Sequence, residues 1–284
     1  MLDFGHTKLE DLLKEAEKLF SKIGMESPKV EAWWLFREIL TDWNGISGND
    51  KILSLKDQEK LQSALGRRLK REPLAYILGE KGFWLDDFKV NASTLIPRAD
   101  SEALIELFLD LVPEKKMSAR LLDLGTGTGC LLLTLLREYP NFFGVGTDIV
   151  PEAVFLAKEN ATDLKLLDRS HFVVSSWGEG IEETFDFIIS NPPYIKSDEI
   201  GDLMPEVSIF EPRSALDGGQ DGLDCYKVIL NKAKEKLSLG GKIFFEIGEG
   251  QGQDVRRIAE TLGFLFLGYK CDLAGKERAV AFSR

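Results

Sequence analysis

The chain predicts an α/β protein. A seven-stranded, mostly parallel sheet with an antiparallel last strand is covered by helices and preceded by a small N-terminal helical bundle and a β-hairpin linker. Three observations lead there. From Ala119 onward, apolar runs of strand length alternate with amphipathic runs of helix length, the pattern of a parallel sheet covered on both faces. The last two strand candidates are joined only by Cys271–Lys276, too short for a parallel crossover, so the final strand inserts antiparallel. The first ~70 residues carry helical periodicity with short connections, as in a bundle.

The elements follow in order. Thr7 to Ile23 reads as an amphipathic helix. Thr7 and Glu10 form a capping box, Leu9, Leu12, Leu13, Ala16, Leu19 and Phe20 form the apolar stripe, and Gly24 is the stop. Ser27-Pro28 starts a second helix carrying Val30, Trp33, Trp34, Phe36 and Leu40, the tryptophans taken as packing residues. A third runs from Lys56 to Lys70 with Leu61, Ala64, Leu65 and Leu69 inward, and the basic run Arg67–Arg71 reads as its solvated face. The helical period then fails. Gly79 and Gly82 mark turns, and Phe83–Leu85 pairs with Phe88–Val90 in a hairpin across Asp86-Asp87. This divides the chain into a bundle (1–72), a linker with the hairpin (73–98) and an α/β domain (99–284). Strands are expected at 119–124, 143–147, 171–175, 185–190, 242–247, 264–270 and 277–283. Helices are expected at 99–111, 130–138, 151–160, 223–237 and 251–262.

Two stretches carry chemistry. In Arg120–Leu131 an apolar strand runs through Asp123 into Gly125-Thr126-Gly127-Thr128-Gly129 and then into a helix start. The glycines admit close approach of a ligand to backbone, and the helix start offers N–H groups to an anionic group. The next strand ends in Asp148, an acid about 20 residues past the turn, the placement that suits ribose hydroxyls. On these features alone a nicotinamide enzyme remains open. The second stretch, Phe185–Ser190, is a buried strand that stops at Asn191-Pro192-Pro193-Tyr194. Neither proline can donate to a sheet, and each drives its predecessor into extended geometry. The product is a stiff platform of one carboxamide, free carbonyls and one aromatic ring. It accepts two hydrogen bonds from an NH2 group and contains no acid, base or nucleophile.

Composition narrows the field. A net charge of −11 argues against a protein that lives on nucleic acid. Cys130, Cys225 and Cys271 are scattered singly, and the two histidines, His6 and His171, lack ligand spacing, so neither a disulfide framework nor a metal is expected. With no apolar run of bilayer length and no basic-plus-apolar leader, a cytoplasmic monomer is the default expectation.

The glycine turn and the Asn-Pro-Pro-Tyr platform together resemble class I S-adenosylmethionine-dependent methyltransferases, with the platform similar to that of enzymes methylating a planar nitrogen. The match is closer in Arg71–Glu80, Phe83-Trp84, Leu95–Glu102, Asn191–Ile195, Glu211–Leu223, and Glu246-Ile247-Gly248 with Gln251. These stretches resemble the peptide chain release factor glutamine methyltransferases (the HemK family), from about residue 60 onward. The resemblance implies a Rossmann-like methyltransferase sheet rather than a dehydrogenase one. It implies methyl transfer from S-adenosylmethionine, leaving S-adenosylhomocysteine, to the side-chain N5 of the glutamine in the Gly-Gly-Gln motif of release factors, with the bundle recognising the substrate. By motif, Gly125, Thr126, Gly127, Thr128 and Gly129 would hold the methionine part of the cofactor, Asp123 its ammonium group and Asp148 the ribose. Trp177 would meet the adenine beside Ser176, which stands where the family usually has Asp. Asn191 would touch the cofactor, and Asn191, Pro192, Pro193 and Tyr194, with Arg98 entering from the linker, would bind the substrate. By the same resemblance, Asn191, Pro192 and Tyr194 would be the catalytic set. The chain's own Gly218-Gly219-Gln220 reads as coincidence. Methylation of DNA adenine or rRNA guanine is the alternative, disfavoured by the acidic charge; a non-catalytic cofactor binder would not need the platform.

Overall fold

The computed structural model describes residues 8–40 and 53–284. It divides into two compact units, Met1–Gly79 with Pro205–Phe210, and Glu80–Met204 with Glu211–Arg284.

The first unit is helical. α1 (Leu9–Lys22), α2 (Pro28–Ile39) and α3 (Leu55–Arg68) pack Leu12, Ala16, Phe20, Ala32, Leu35, Phe36, Leu61, Ala64 and Leu65 into one core. These are successive i, i+3 and i+4 positions, which share a helix face. The proposed cap Thr7 lies outside the described residues, and α1 opens with Lys8 at its cap position. Ser54 caps α3 by accepting from the Asp57 N–H. A short helix, α4 (Leu74–Leu78), ends at Gly79 with φ 83°, where the sequence shows only a lost period; five residues are too few to display one. Two readings need correction. The tryptophans are not core residues: Trp34 is exposed, edge-on to Trp33, and Arg37 stacks over both rings. The basic run is a solvated face only in part: Lys70 is exposed and Arg67 half-exposed, but the other arginines are drawn inward. Arg68 is buried and paired with Glu31 (3.0 Å) and Glu206 (2.9 Å), Arg71 with Glu206 (2.7 Å), and Arg67 with Glu72 (2.5 Å). Glu31 and Glu206, which bury Arg68, lie 37 and 138 residues away, where periodicity cannot see them.

The second unit opens with the hairpin β1 (Glu80–Phe83) and β2 (Asp86–Lys89). Its turn is Trp84-Leu85, not Asp86-Asp87, which instead pair with Phe83 and Gly82. Trp84 takes a positive φ of 56°, as a two-residue hairpin turn requires at its first position, and both its nitrogens are held there, the backbone N by Glu102 (3.0 Å) and the indole by Glu138 (3.1 Å). The hairpin is packed into this unit through buried Asn160, whose carboxamide pairs with both the N–H and the C=O of Lys89.

A 3-10 turn at Ala99–Ser101 leads into α5 (Glu102–Leu111), and then the alternation begins: β3 (Ala119–Leu124), α6 (Cys130–Glu138), β4 (Phe142–Asp148), α7 (Pro151–Asp163), β5 (Ser170–Val174) and β6 (Phe185–Ser190). α8 (Asp224–Lys236), β7 (Leu237–Glu246), α9 (Gly252–Thr261), β8 (Leu265–Cys271) and β9 (Glu277–Ser283) complete it. The order in the sheet is β5-β4-β3-β6-β7-β9-β8, with β9 antiparallel to both neighbours and the other ladders parallel. Apolar clusters cover both faces, one around Phe108, Tyr139 and Phe142, the other around Tyr226, Leu230 and Phe245. β7 begins earlier than its apolar run because Gly240 and Gly241 interrupt the hydrophobic signal. Chain order reverses at β3, flanked by β4 and β6, so the carboxyl ends of these strands open on a topological switch point. Among the described residues no helix is long and apolar enough to cross a membrane.

Candidate active site

A cavity of about 300 Å³ lies at those strand ends. Its wall brings together Gly125, Thr126, Gly127 and Thr128 from the turn after β3, Asp148 after β4, Ser176 and Trp177 after β5, Asn191 and Pro193 after β6, and Arg98 before α5. Asp123, Gly129, Pro192 and Tyr194 do not line it.

The turn adopts its shape because Gly125, Gly127 and Gly129 sit at φ 77°, 54° and 80°, angles that other residues resist. Backbone bonds from Gly125 and Thr126 to the Thr147 carbonyl, each 2.8 Å, tie it to β4. Asn160 ties it to α7, donating to the Thr128 carbonyl at 2.9 Å. Asp148 completes the frame, its Oδ2 accepting from Gly127 N (2.9 Å) and its Oδ1 from Val150 N (3.0 Å). Burial raises the Asp148 pKa, while the backbone donors pull it down. Asp123 lies buried at the end of β3. Its Oδ2 accepts from the Thr126 hydroxyl (2.7 Å), whereas Oδ1 has no partner. Burial pushes its pKa up to about 7 against the Thr126 hydrogen bond. An orphaned buried carboxylate oxygen behind a glycine turn fits a cationic amine.

The platform is clamped from behind. Tyr194 turns its hydroxyl to Glu246 Oε1 at 3.2 Å, and burial raises the phenol's pKa. The Tyr194 carbonyl is not free, because Gln251 Nε2 donates to it at 3.0 Å, while Gln251 Oε1 accepts from Gly248 N. Ile195 exchanges backbone bonds with the Leu216–Gly218 loop, its N–H donating to the Leu216 carbonyl (3.0 Å) and its carbonyl accepting from Gly218 N (2.8 Å). Among the described residues none donates to the Pro192 carbonyl. Asn191 Nδ2 faces Ser101 Oγ at 3.4 Å. Arg98 pairs with neither Asp100 nor Glu102 beside it in sequence; its partner is buried Glu211, whose other oxygen accepts from Ile96 N. Burial holds the Glu211 carboxyl above its usual value despite Arg98. The thiols at the wall are inert at neutral pH, burial pushing Cys130 up to about 12 and Cys225 to about 11.

This geometry has known counterparts. Residues 11–79 match the PrmC N-terminal domain and residues 101–220 the methyltransferase small domain. A release factor glutamine methyltransferase of Agrobacterium fabrum is 37% identical over 289 residues, covering 99% of each chain. The chain belongs to the release factor glutamine methyltransferase family. Another member, from Rhodospirillum rubrum, is 40% identical over 92% of this chain and 80% of its own. A methyltransferase structure from Pyrococcus furiosus shares the fold at 18% identity, with a TM-score of 0.53 over 80% of this chain and 96% of that one. The reversed β9 thus belongs to a methyltransferase sheet, and the nicotinamide reading falls.

Motif reading quoted Ser101 within Leu95–Glu102 but gave it no role, and it missed Asn160 altogether. No local pattern marks either, since each matters only through partners 90 and 71 residues away. Glu211, Glu246 and Gln251 also stood in the quoted stretches, but their roles depend on contacts remote in sequence: Glu211 with Arg98 and Ile96, Glu246 with the Tyr194 hydroxyl and Gln251 with the Tyr194 carbonyl.

Proposed function

We propose that this protein transfers a methyl group to the side-chain amide nitrogen of the glutamine in the Gly-Gly-Gln motif of peptide chain release factors. The observation that carries the reading is that one cavity wall holds both the glycine turn with Asp148 and the Asn191 carboxamide. S-adenosylmethionine, when bound, supplies a methyl group activated by a sulfonium. Asp123 and the turn would hold its amino acid end, Asp148 its ribose, and Trp177 with Ser176 its adenine.

The chain's task at the substrate is to make a poor nucleophile react. An amide lone pair is delocalised into the carbonyl, so attack requires a pyramidal nitrogen. Asn191 Oδ1 and the Pro192 carbonyl each accept one N–H of the substrate, favouring that geometry and stabilising the positive charge that develops. Alignment supplies the rest. Once the nitrogen has attacked, its excess proton is acidic and passes to water. Arg98, anchored by Glu211, borders the substrate side. The helical unit recognises the folded partner, because a glutamine side chain alone offers little surface; a standard complex buries about 800 Å² per partner. Incubation with methyl-labelled cofactor and either intact release factor or nucleic acid tests the reading. Label on the glutamine supports it, and label only on nucleic acid overturns it.

A further inference from the structure

The wall that carries Trp177 is a loop, Ser175–Ile181, with no strand or helix of its own. Its shape is costly. Trp177 sits at φ 52°, Gly178 at 71° and Gly180 at 78°, and only the glycines take such angles freely. The indole still lies close over the glycine turn: a Cβ on Gly125 would stand 3.4 Å from Trp177 Cζ3. Two lysines at i and i+4, on one face of α8, hold the loop. Lys232 Nζ donates to the Ser176 carbonyl at 3.0 Å. Lys236 Nζ donates to the Ile181 carbonyl at 2.8 Å. The Lys236 stem runs against Gly178, where a Cβ would stand 3.2 Å from Lys236 Cε. Lys236 is 9% exposed, and among the described residues no acid pairs with it. Burial pulls its pKa below the usual value. A buried ammonium that meets only a carbonyl weakens a fold, so packing alone gives no reason for a lysine here. Cations in the last turn of a helix suit its dipole, but that effect needs neither burial nor a partner in another segment.

We propose that Lys232 and Lys236 are positioning residues for the cofactor: they bracket Trp177 through the carbonyls of Ser176 and Ile181 and so hold its ring against the glycine turn. The inference rests on the reading above in which Trp177 meets the adenine. Neither lysine lines the cavity, so any effect on the ligand passes through the loop. The loop's own bonds do not replace them. Glu179 N reaches back to Ser176 (3.1 Å) and Ile181 N to Gly178 (3.2 Å), short turns that move with the loop. Without the lysines Trp177 is free to relax from its left-handed angle, and the ring leaves Gly125. A wall in place about one-tenth of the time weakens binding about 10-fold, because only that fraction of the protein is competent to bind.

The test uses the full-length protein with Lys232→Met, Lys236→Met and the two combined, since methionine keeps the aliphatic stem and removes the donor. The Kd for S-adenosylhomocysteine should rise about 3-fold for Lys232→Met, about 5-fold for Lys236→Met and about 10-fold for the pair. Lys232→Arg, which still donates from the half-exposed side, should stay within about 2-fold of wild type. In turnover the loss should fall on the cofactor KM and not on the rate at saturation. A second readout sees the ring itself. The chain has five tryptophans, so 15N spectra hold five indole signals, and Trp177→Phe assigns one of them by its loss. In the ligand-free pair variant that signal should move while the others stay. A Kd within about 2-fold of wild type in the folded pair would overturn the proposal. So would a weaker Kd with the Trp177 signal unmoved, or with all the indole signals moved, which is general loosening. If the pair does not fold, the single variants are read in the same way. Trp177→Ala tests the underlying reading separately. If it too leaves the Kd unchanged, the adenine placement is what fails, and the spectra alone judge whether the lysines hold the ring.

Discussion

Replacing Asp148 separates a ligand-binding acid from one that only caps the next helix. A carboxylate offers about four lone-pair sites. Two are spent on Gly127 N and Val150 N, one on each oxygen, which leaves one on each oxygen for a pair of hydroxyls. Hydrogen bonds to a charged group contribute about 1.5–3 kcal/mol each. Asp148→Ala should therefore weaken cofactor binding by ~3 kcal/mol at the low end, or about 100-fold in Kd. Asp148→Asn should not be benign. Whichever way its amide turns, an NH2 opposes one of the two backbone N–H groups, so it too should lose more than ~10-fold. Calorimetric titration with S-adenosylhomocysteine gives the Kd, and thermal melting of the ligand-free variants reports whether the turn has survived. The rate at saturating cofactor should change far less than the affinity. A Kd within about 3-fold of wild type in a folded Asp148→Ala protein would refute the ribose role and leave Asp148 a turn brace.

Other outcomes follow from the same site. Asn191→Ala should abolish transfer, by at least ~100-fold, with cofactor Kd nearly unchanged; single-turnover rates beside a titration would check it, and wild-type transfer would dismiss the platform mechanism. Asp123 and Glu246 each titrate near pH 7 in the fold, above the ordinary 3.8 and 4.5, so between those values and pH 7 the folded state holds protons that the unfolded chain has lost. Stability therefore falls as pH rises through that window, by up to about 1.4 kcal/mol per pH unit for each group, and melting of wild type against Glu246→Gln should show the variant gaining relative stability from pH 5 to pH 8. A cationic amine at Asp123 requires the ionised acid, so cofactor affinity should fall as pH drops from 7 to 5, and flat affinity would remove Asp123 from the site. Trp34→Ala should raise KM for intact release factor at least ~3-fold, the lower range for an interface aromatic, and leave turnover of a Gly-Gly-Gln peptide unchanged; equal loss on both would mean the helical unit has no recognition role.

The sheet was legible because burial of each strand writes itself locally. Ala119–Leu124, Phe185–Ser190 and Glu277–Ser283 are bounded by chemistry that stops a strand, and a six-residue connection fixes the direction of the last one whatever surrounds it. Local signals failed wherever partners are remote. Trp84 is tolerated in the hairpin turn with both its nitrogens paired to Glu102 and Glu138, and Arg68 becomes internal because Glu31 and Glu206 meet it. The site was half legible for the same reason. Gly125–Gly129 and Asn191–Tyr194 are continuous motifs whose backbone chemistry can be read in place, but what fixes Asn191 and Tyr194 comes from Ser101, Glu246 and Gln251.

That division explains the loop Gly218-Gly219-Gln220, which copies the substrate's own sequence. A Cβ on Gly218 would stand 2.7 Å from Tyr194 Cα, and one on Gly222 2.5 Å from the Tyr194 carbonyl oxygen. Glycine is required there by the platform's backbone, not by a reaction. Gly218 N is bonded to the Ile195 carbonyl at 2.8 Å, and the Gly219 carbonyl accepts from Ser197 N at 3.0 Å. These bonds fix the course of the backbone at Gly218 and Gly219, while the Gln220 side chain is exposed. The stretches Glu211–Leu223 and Glu246–Gln251, far apart in sequence, thus share one physical task. They grip a proline-rich turn that cannot use sheet hydrogen bonds to hold itself, and a carboxamide on such a turn is only as well aimed as the groups behind it.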